Sequence, residues 1–243
     1  MTKILNKRSI AIVLSIVLII ATLMIFASTQ AQANRGLAEI YLQRHSNFDN
    51  TLFRTERRNA IVSMGYDPVG CYTNVPIGPK TSASVLRTLA NDRICVIRGH
   101  GGVGRMVSNA PNGDLTRLSD RAQPENWNYS LSANFSGSQL NGVRFIHYGG
   151  CNTNGTHATF GNLATRSTTL GVQSVLTHND FSYACRTSYY SWRIFHHANL
   201  NKTIGDSRTA ARTDTLTHYG TTDSFSLQAT NTTLNGSSTL RLK

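Results

Sequence analysis

Two short stretches carry residue types suited to thiol chemistry. FIHYGGCNTNG, Phe145 to Gly155, runs from aromatic and β-branched residues through two glycines into Cys151. ICVIRGHGG, Ile94 to Gly102, runs from an apolar segment into His100, which two more glycines follow. A thiol works as a nucleophile when it is accessible and an imidazole nearby can manage protons. Glycine lets the backbone approach a substrate closely and lets its N–H groups face a developing oxyanion. Cys151 is therefore the candidate nucleophile and His100 its acid–base partner. They lie 51 residues apart (151 − 100), enough for a crossover between two strands of one sheet.

The elements that must position them follow from the hydrophobic pattern. ICVI, VRFIHY and VQSVLTH are short, nearly continuous apolar runs bounded by turn signals, as strands buried on both faces are. Between and after them lie helical patterns. Thr81-Ser82 caps one that carries Val85, Leu86 and Leu89, and Asn91-Asp92 ends it. A small-residue helix spans about 157–168, and SYYSWRIFHHANL and TIGDSRTAARTDTL follow. Within 34–80, Leu37, Ile40 and Tyr41, with Leu52, Ile61 and Val62, suggest a helical pattern from Leu37 to about Met64, leading into an irregular connection from Gly65 to Lys80. Val103 to Asn141 is polar and broken, and 221–243 is a polar tail or edge hairpin. Alternating strands and helices predict an α/β fold with a mostly parallel central sheet flanked by helices. Such sheets carry active groups beyond the carboxyl ends of their strands, where both glycine loops fall.

ICVIRGHGG followed by VRFIHYGGCNTNG resembles the caspase-like (clan CD) cysteine peptidases, a group including caspases, gingipains, clostripain and separase. Within it, bacterial caspase-like domains of the CHAT type are the nearest in motif. The likeness continues through GNLATRSTTLGVQSVLTHNDFS and WRIFHHANLNKTIGDSRTAAR, covering roughly Ser82 to Arg212. It implies a caspase-like three-layer sandwich over 81–220 and an endopeptidase acting through a His–Cys dyad and a thioester acyl-enzyme. It implies His100 and Cys151 as catalytic residues, backbone N–H groups of Gly101 and Cys151 as the oxyanion hole, and a protein or peptide as substrate. Gly149-Gly150 stands where caspases have Gln-Ala, so aspartate specificity does not carry over. In this family an acidic pocket residue often selects a basic side chain, and Asp180 is the nearest match.

The start of the chain reads as an address. Lys3, Lys7 and Arg8 precede an uncharged apolar run from Ser9 to Ser28, and Ala31-Gln32-Ala33 follows as a small-x-small cleavage pattern. Residues 1–33 are expected to be a cleaved signal peptide, or else an uncleaved anchor, since a span needs roughly 20 residues. Either places the body outside the cell or in its envelope. The whole chain carries 24 Lys+Arg against 12 Asp+Glu. Without residues 1–33 the balance is 21 against 12, a net +9. The charge is scattered arginine, without basic runs or interleaved aromatics. It suits loose contact with anionic cell-surface polymers and argues against specific nucleic-acid binding.

Other readings compete for the same residues. The fold could serve as a catalytically silent surface module, or the dyad as a transpeptidase or amidase on cell-wall peptides. Cys71, Cys95, Cys151 and Cys185 allow three complete pairings. With Cys151 a free thiol, at most one disulfide remains, and the spacing does not choose it. Cys95 reads as core. His147 reads as a satisfied histidine, and Asp206 as a cap or surface pair. His157, His178, His196 and His197 match no known ligand frame, so no metal and no cofactor are expected.

Overall fold

The computed structural model describes residues 15, 17, 36–41, 50–67, 71–72, 89–109, 115–121 and 130–243. The chain divides into two units, Met1–Arg35 and Gly36–Lys243. In the first, only Ser15 and Val17 are described, both helical, so the proposed export segment lies almost wholly outside the described residues. No helix among the described residues is long and apolar enough to cross a membrane.

The second unit is built on a six-stranded sheet. Its strands are β1 (Leu37–Tyr41), β2 (Cys71–Tyr72), β3 (Ile94–Arg98), β7 (Phe145–Gly149), β8 (Ser174–His178) and β9 (Thr232–Gly236). Their order is β2-β1-β3-β7-β8-β9. All neighbours run parallel except β8 and β9, which are antiparallel. A second, antiparallel sheet joins β4 (His100–Gly102), β5 (Arg105–Asn109) and β6 (Leu115–Ser119). The helices are α1 (Thr51–Ser63), α2 (Leu131–Asn134), α3 (Leu163–Thr169), α4 (Ala184–Asn199), α5 (Ile204–Tyr219) and α6 (Ser224–Ala229).

Every residue of β3, β7 and β8 is buried, as their continuous apolar runs require. Side chains alternate between two cores because successive residues of a strand face opposite sides. Cys95, Ile97, Ile146, Tyr148 and Val175 pack with Leu163, Ala164 and Leu170 of the α3 region. Ile94, Val96, Phe145 and Leu176 pack with Ile61 of α1, with Tyr190, Ile194 and Phe195 of α4, and with Ala211 of α5. Helices thus cover both faces of the sheet, giving three layers.

Several expectations change. Leu37–Tyr41 is a strand, not the start of a helix. Five residues satisfy either period, and pairing with β2 and β3 decides between them. A helix begins at Thr51, where Asn50 caps it by accepting the Leu52 amide at 2.9 Å. The sheet therefore extends beyond 81–220 at both ends. The polar tail supplies α6 and then β9, an edge strand paired on β8 rather than a hairpin. The polar region after Val103 supplies β5 and β6 of the second sheet. Of the helix expected from Thr81, residues 89–91 are described, and they are helical. Cys95, Cys151 and Cys185 are free thiols. Asp206 helps to cap α5, where its amide donates to the Thr203 hydroxyl.

Candidate active site

The parallel register sets the site. Arg98, the last residue of β3, pairs with Gly149, the last of β7. His100 and Cys151 each follow two residues later, so the chain leaves the sheet at the same edge in adjacent places. The two backbones then touch. A Cβ added to Gly101 would lie 2.6 Å from the Cys151 amide nitrogen and closer still to its carbonyl oxygen. The Gly101 Cα in turn lies 3.1 Å from where a Cβ on Gly150 would sit. Only residues without side chains permit that approach. The Gly101 backbone is thereby pressed against the backbone of Cys151.

The turn after β7 is held from inside. Asn152 takes a left-handed conformation, φ 51°, which asparagine tolerates better than most residues. Thr153 is fully buried, and its hydroxyl lies 3.0 Å from the Tyr148 carbonyl and accepts the His178 amide at 3.0 Å. Asn154 donates its amide to the His178 carbonyl at 2.9 Å and its side-chain nitrogen to Asn179 Oδ1 at 2.6 Å. The Cys-Asn-Thr-Asn run therefore ties the turn around Cys151 to the end of β8.

The loop after β8 reaches the sulfur itself. Half-buried Cys151 accepts the Ser182 backbone N–H on Sγ at 3.2 Å. The Ser182 hydroxyl lies 3.1 Å from Thr187 Oγ1 of α4, and the Asp180 carbonyl accepts the Asn152 amide at 3.0 Å. The Asp180 carboxylate accepts the Phe181 amide at 2.8 Å, capping its own loop. Asp180 thus shares a loop with the sulfur's donor. His100 is exposed on the other side of the contact, at the start of β4.

Four other histidines, His147, His157, His178 and His197, make contacts within the fold. His147 is buried on the face covered by α4, with Nδ1 3.2 Å from Ser191 Oγ and Nε2 3.0 Å from His178 Nε2. Burial holds His147 well below the ordinary imidazole range, with the charges of His178, Arg98 and Arg57 adding to it. Burial also pushes His178 down to about 3. Both rings are neutral near pH 7, and one Nε2–H donates to the other's bare Nε2. His157 accepts the Thr159 amide in a turn, and His197 donates to Asp214 at 2.7 Å. Among the described residues, no three His, Cys, Asp or Glu side chains are grouped to hold a metal ion.

Thr153 and Ser182 are the site residues that reading the residue types passed over. Thr153 left a signal, a small polar residue straight after a buried strand. Ser182 left none, because its contribution is a backbone N–H.

No protein-family model matches the chain, and no curated protein matches it in sequence. Solved structures do resemble it. One is the crystal structure of the Arg-specific cysteine proteinase gingipain R, with TM-score 0.59 and 12% identity, covering 86% of this chain and 47% of that one. Another is the complex of Porphyromonas gingivalis RgpB pro- and mature domains, with TM-score 0.59 and 12% identity, covering 86% of this chain and 48% of the other. The chain spans about half the length of the gingipain chains it matches. Its fold is caspase-like: a mostly parallel central sheet flanked by helices, shared with these gingipains.

Proposed function

We propose that the chain is an exported caspase-like cysteine endopeptidase that works through His100 and Cys151. The observation that carries this reading is the contact between the Gly101 and Cys151 backbones, at the carboxyl edge of two adjacent parallel strands. It sets a thiol beside a main-chain segment that begins with an imidazole, which is what acyl transfer to sulfur needs.

The Cys151 thiol passes its proton to His100 as its sulfur attacks the scissile carbonyl carbon, and the Gly101 and Cys151 N–H groups hold the resulting oxyanion. Collapse breaks the C–N bond, and His100 gives the departing amine its proton. Water then loses a proton to His100 and adds to the thioester. The S–C bond breaks, releasing the acid and restoring the thiol. The substrate is a protein or peptide. Asp180 is the candidate for selecting a basic side chain ahead of the scissile bond. The basic, then apolar, then Ala-x-Ala start supports export, and scattered arginine supports loose contact with anionic surfaces.

A peptide library offered to the protein and to Cys151→Ala tests this reading. Hydrolysis should vanish in the variant while its thermal unfolding stays close to that of the parent. Cleavage that survives the substitution overturns the assignment. The same library, varied at the residue before the cut, reads whether Lys or Arg is preferred.

A further inference from the structure

The sulfur of Cys151 has a hydrogen-bond donor that is not an imidazole. The Ser182 N–H points at Sγ from 3.2 Å, close for a donor to sulfur. Ser182 directly precedes Tyr183, the N-cap of α4, whose side chain makes no capping bond. α4 runs for 16 residues, so the positive end of a long helix lies next to that donor. Thiolates are stabilised at helix N-termini and by N–H donors, because both favour the charged sulfur over the neutral thiol.

The donor is also held in place. Its hydroxyl reaches Thr187 Oγ1 at 3.1 Å and the Gly149 carbonyl at 3.4 Å. Two residues before it, the Asp180 carbonyl accepts the amide of Asn152, the residue after the cysteine. The loop and the nucleophile turn are therefore laced together on both sides of the N–H···S contact. Exposed His100 arrives from a different sheet.

Building on the reading of Cys151 as nucleophile, we propose that the Ser182 backbone N–H, at the head of α4, stabilises and aims the Cys151 thiolate. Ser182 is a positioning residue, and His100 is left to deliver and accept the protons of the leaving amine and of water. The two tasks assigned to a dyad are thus divided between a helix end and an imidazole. Nothing in the side chain at 182 is needed for the contact itself, since any residue except proline supplies the donor.

Rates of Cys151 alkylation by iodoacetamide across pH test the division. Ser182→Pro lacks the N–H and should react roughly tenfold more slowly at neutral pH, the size expected for a hydrogen bond to a charged group. The deficit should close at alkaline pH, where the thiol ionises unaided. Ser182→Ala keeps the N–H and loses only the bracing bonds of the hydroxyl, so it should slow alkylation less than the proline variant does. A wild-type measurement removes dependence on the proline variant's folding. The Ser182 amide proton resonance should move with pH in step with the alkylation rate, and should not move in Cys151→Ala. A folded Ser182→Pro that alkylates like the parent at every pH overturns the inference. So does a Ser182 resonance that stays fixed in the parent while alkylation rises. Either leaves the peptidase reading standing, whereas peptide cleavage by Cys151→Ala removes that reading first.

Discussion

The two glycine loops at the edge of the sheet are built differently. The loop around Cys151 is bound by hydrogen bonds into the sheet and its neighbours. Thr153 reaches β7 and β8, Asn154 reaches β8 and Asn179, and Asn152 reaches Asp180. The His100 stretch belongs instead to a three-stranded antiparallel ribbon, in which His100 pairs with Val107 and Gly101 with Met106. It meets the cysteine loop by close backbone approach. On the proposed reading of Cys151 and His100, the difference separates two demands. A nucleophile must be held rigidly where a carbonyl will sit, while an exposed imidazole can adjust as the substrate arrives.

The comparison breaks most readily at Gly101. Gly101→Ala would force a Cβ into the Cys151 backbone, which cannot yield as a flexible side chain does. We expect peptide hydrolysis to fall about a hundredfold and stability by roughly 1–3 kcal/mol, the range for overpacking at a tight contact. Gly102→Ala is the control. The nearest atoms to its Cβ would be those of the flexible Arg105 side chain, from 3.3 Å, and activity should stay within about twofold. Matching steady-state rates for the two variants would mean that the backbone contact does not matter.

A smaller effect is expected inside the cysteine loop. Thr153→Val keeps the shape but strands the buried His178 N–H and leaves the turn unbraced. That costs about 1–3 kcal/mol, read as a lower denaturant midpoint. kcat should fall more than KM rises, because the turn that carries the proposed nucleophile is disturbed and not a binding surface. A rise in KM at unchanged kcat would assign Thr153 to substrate binding.

Acid should reach the cysteine loop through the histidines beneath it. His147 and His178 both bind protons less readily folded than unfolded. As pH drops through about 6.5, the unfolded chain takes up protons that the folded chain refuses. Stability therefore declines below that point, by up to about 1.4 kcal/mol per pH unit for each excess proton. For His178 the decline continues until the folded ring itself protonates, at about 3. Denaturant midpoints at pH 7 and pH 5 check this, and equal midpoints would contradict a neutral buried pair.

How much of this was legible in the sequence depends on which atoms do the work. β3, β7 and β8 announced themselves as apolar runs because a strand buried on both faces has no polar side to show. Cys151 and His100 stood out because reactive side chains sat among glycines that packing alone does not explain. LAEIY carried too few residues to separate the two periods, and only its neighbours make it β1. β9 came from a Thr- and Asn-rich tail whose edge position asks for little hydrophobicity. The role of Gly101 was visible as residue type, but its contact with Cys151 is a matter of register between distant strands. The Ser182 contact uses an atom common to nineteen residue types, so no pattern could mark it.

The central claim is that Cys151 is the nucleophile, and intact-protein mass after exposure to peptidyl electrophiles tests it most directly. A panel differing at the residue before the electrophile should yield a single adduct, mapped by peptide sequencing to Cys151. Cys95 and Cys185 should remain unmodified, and the adduct should be absent from Cys151→Ala. Labelling of Cys185 in place of Cys151, or an adduct that persists in Cys151→Ala, would contradict it.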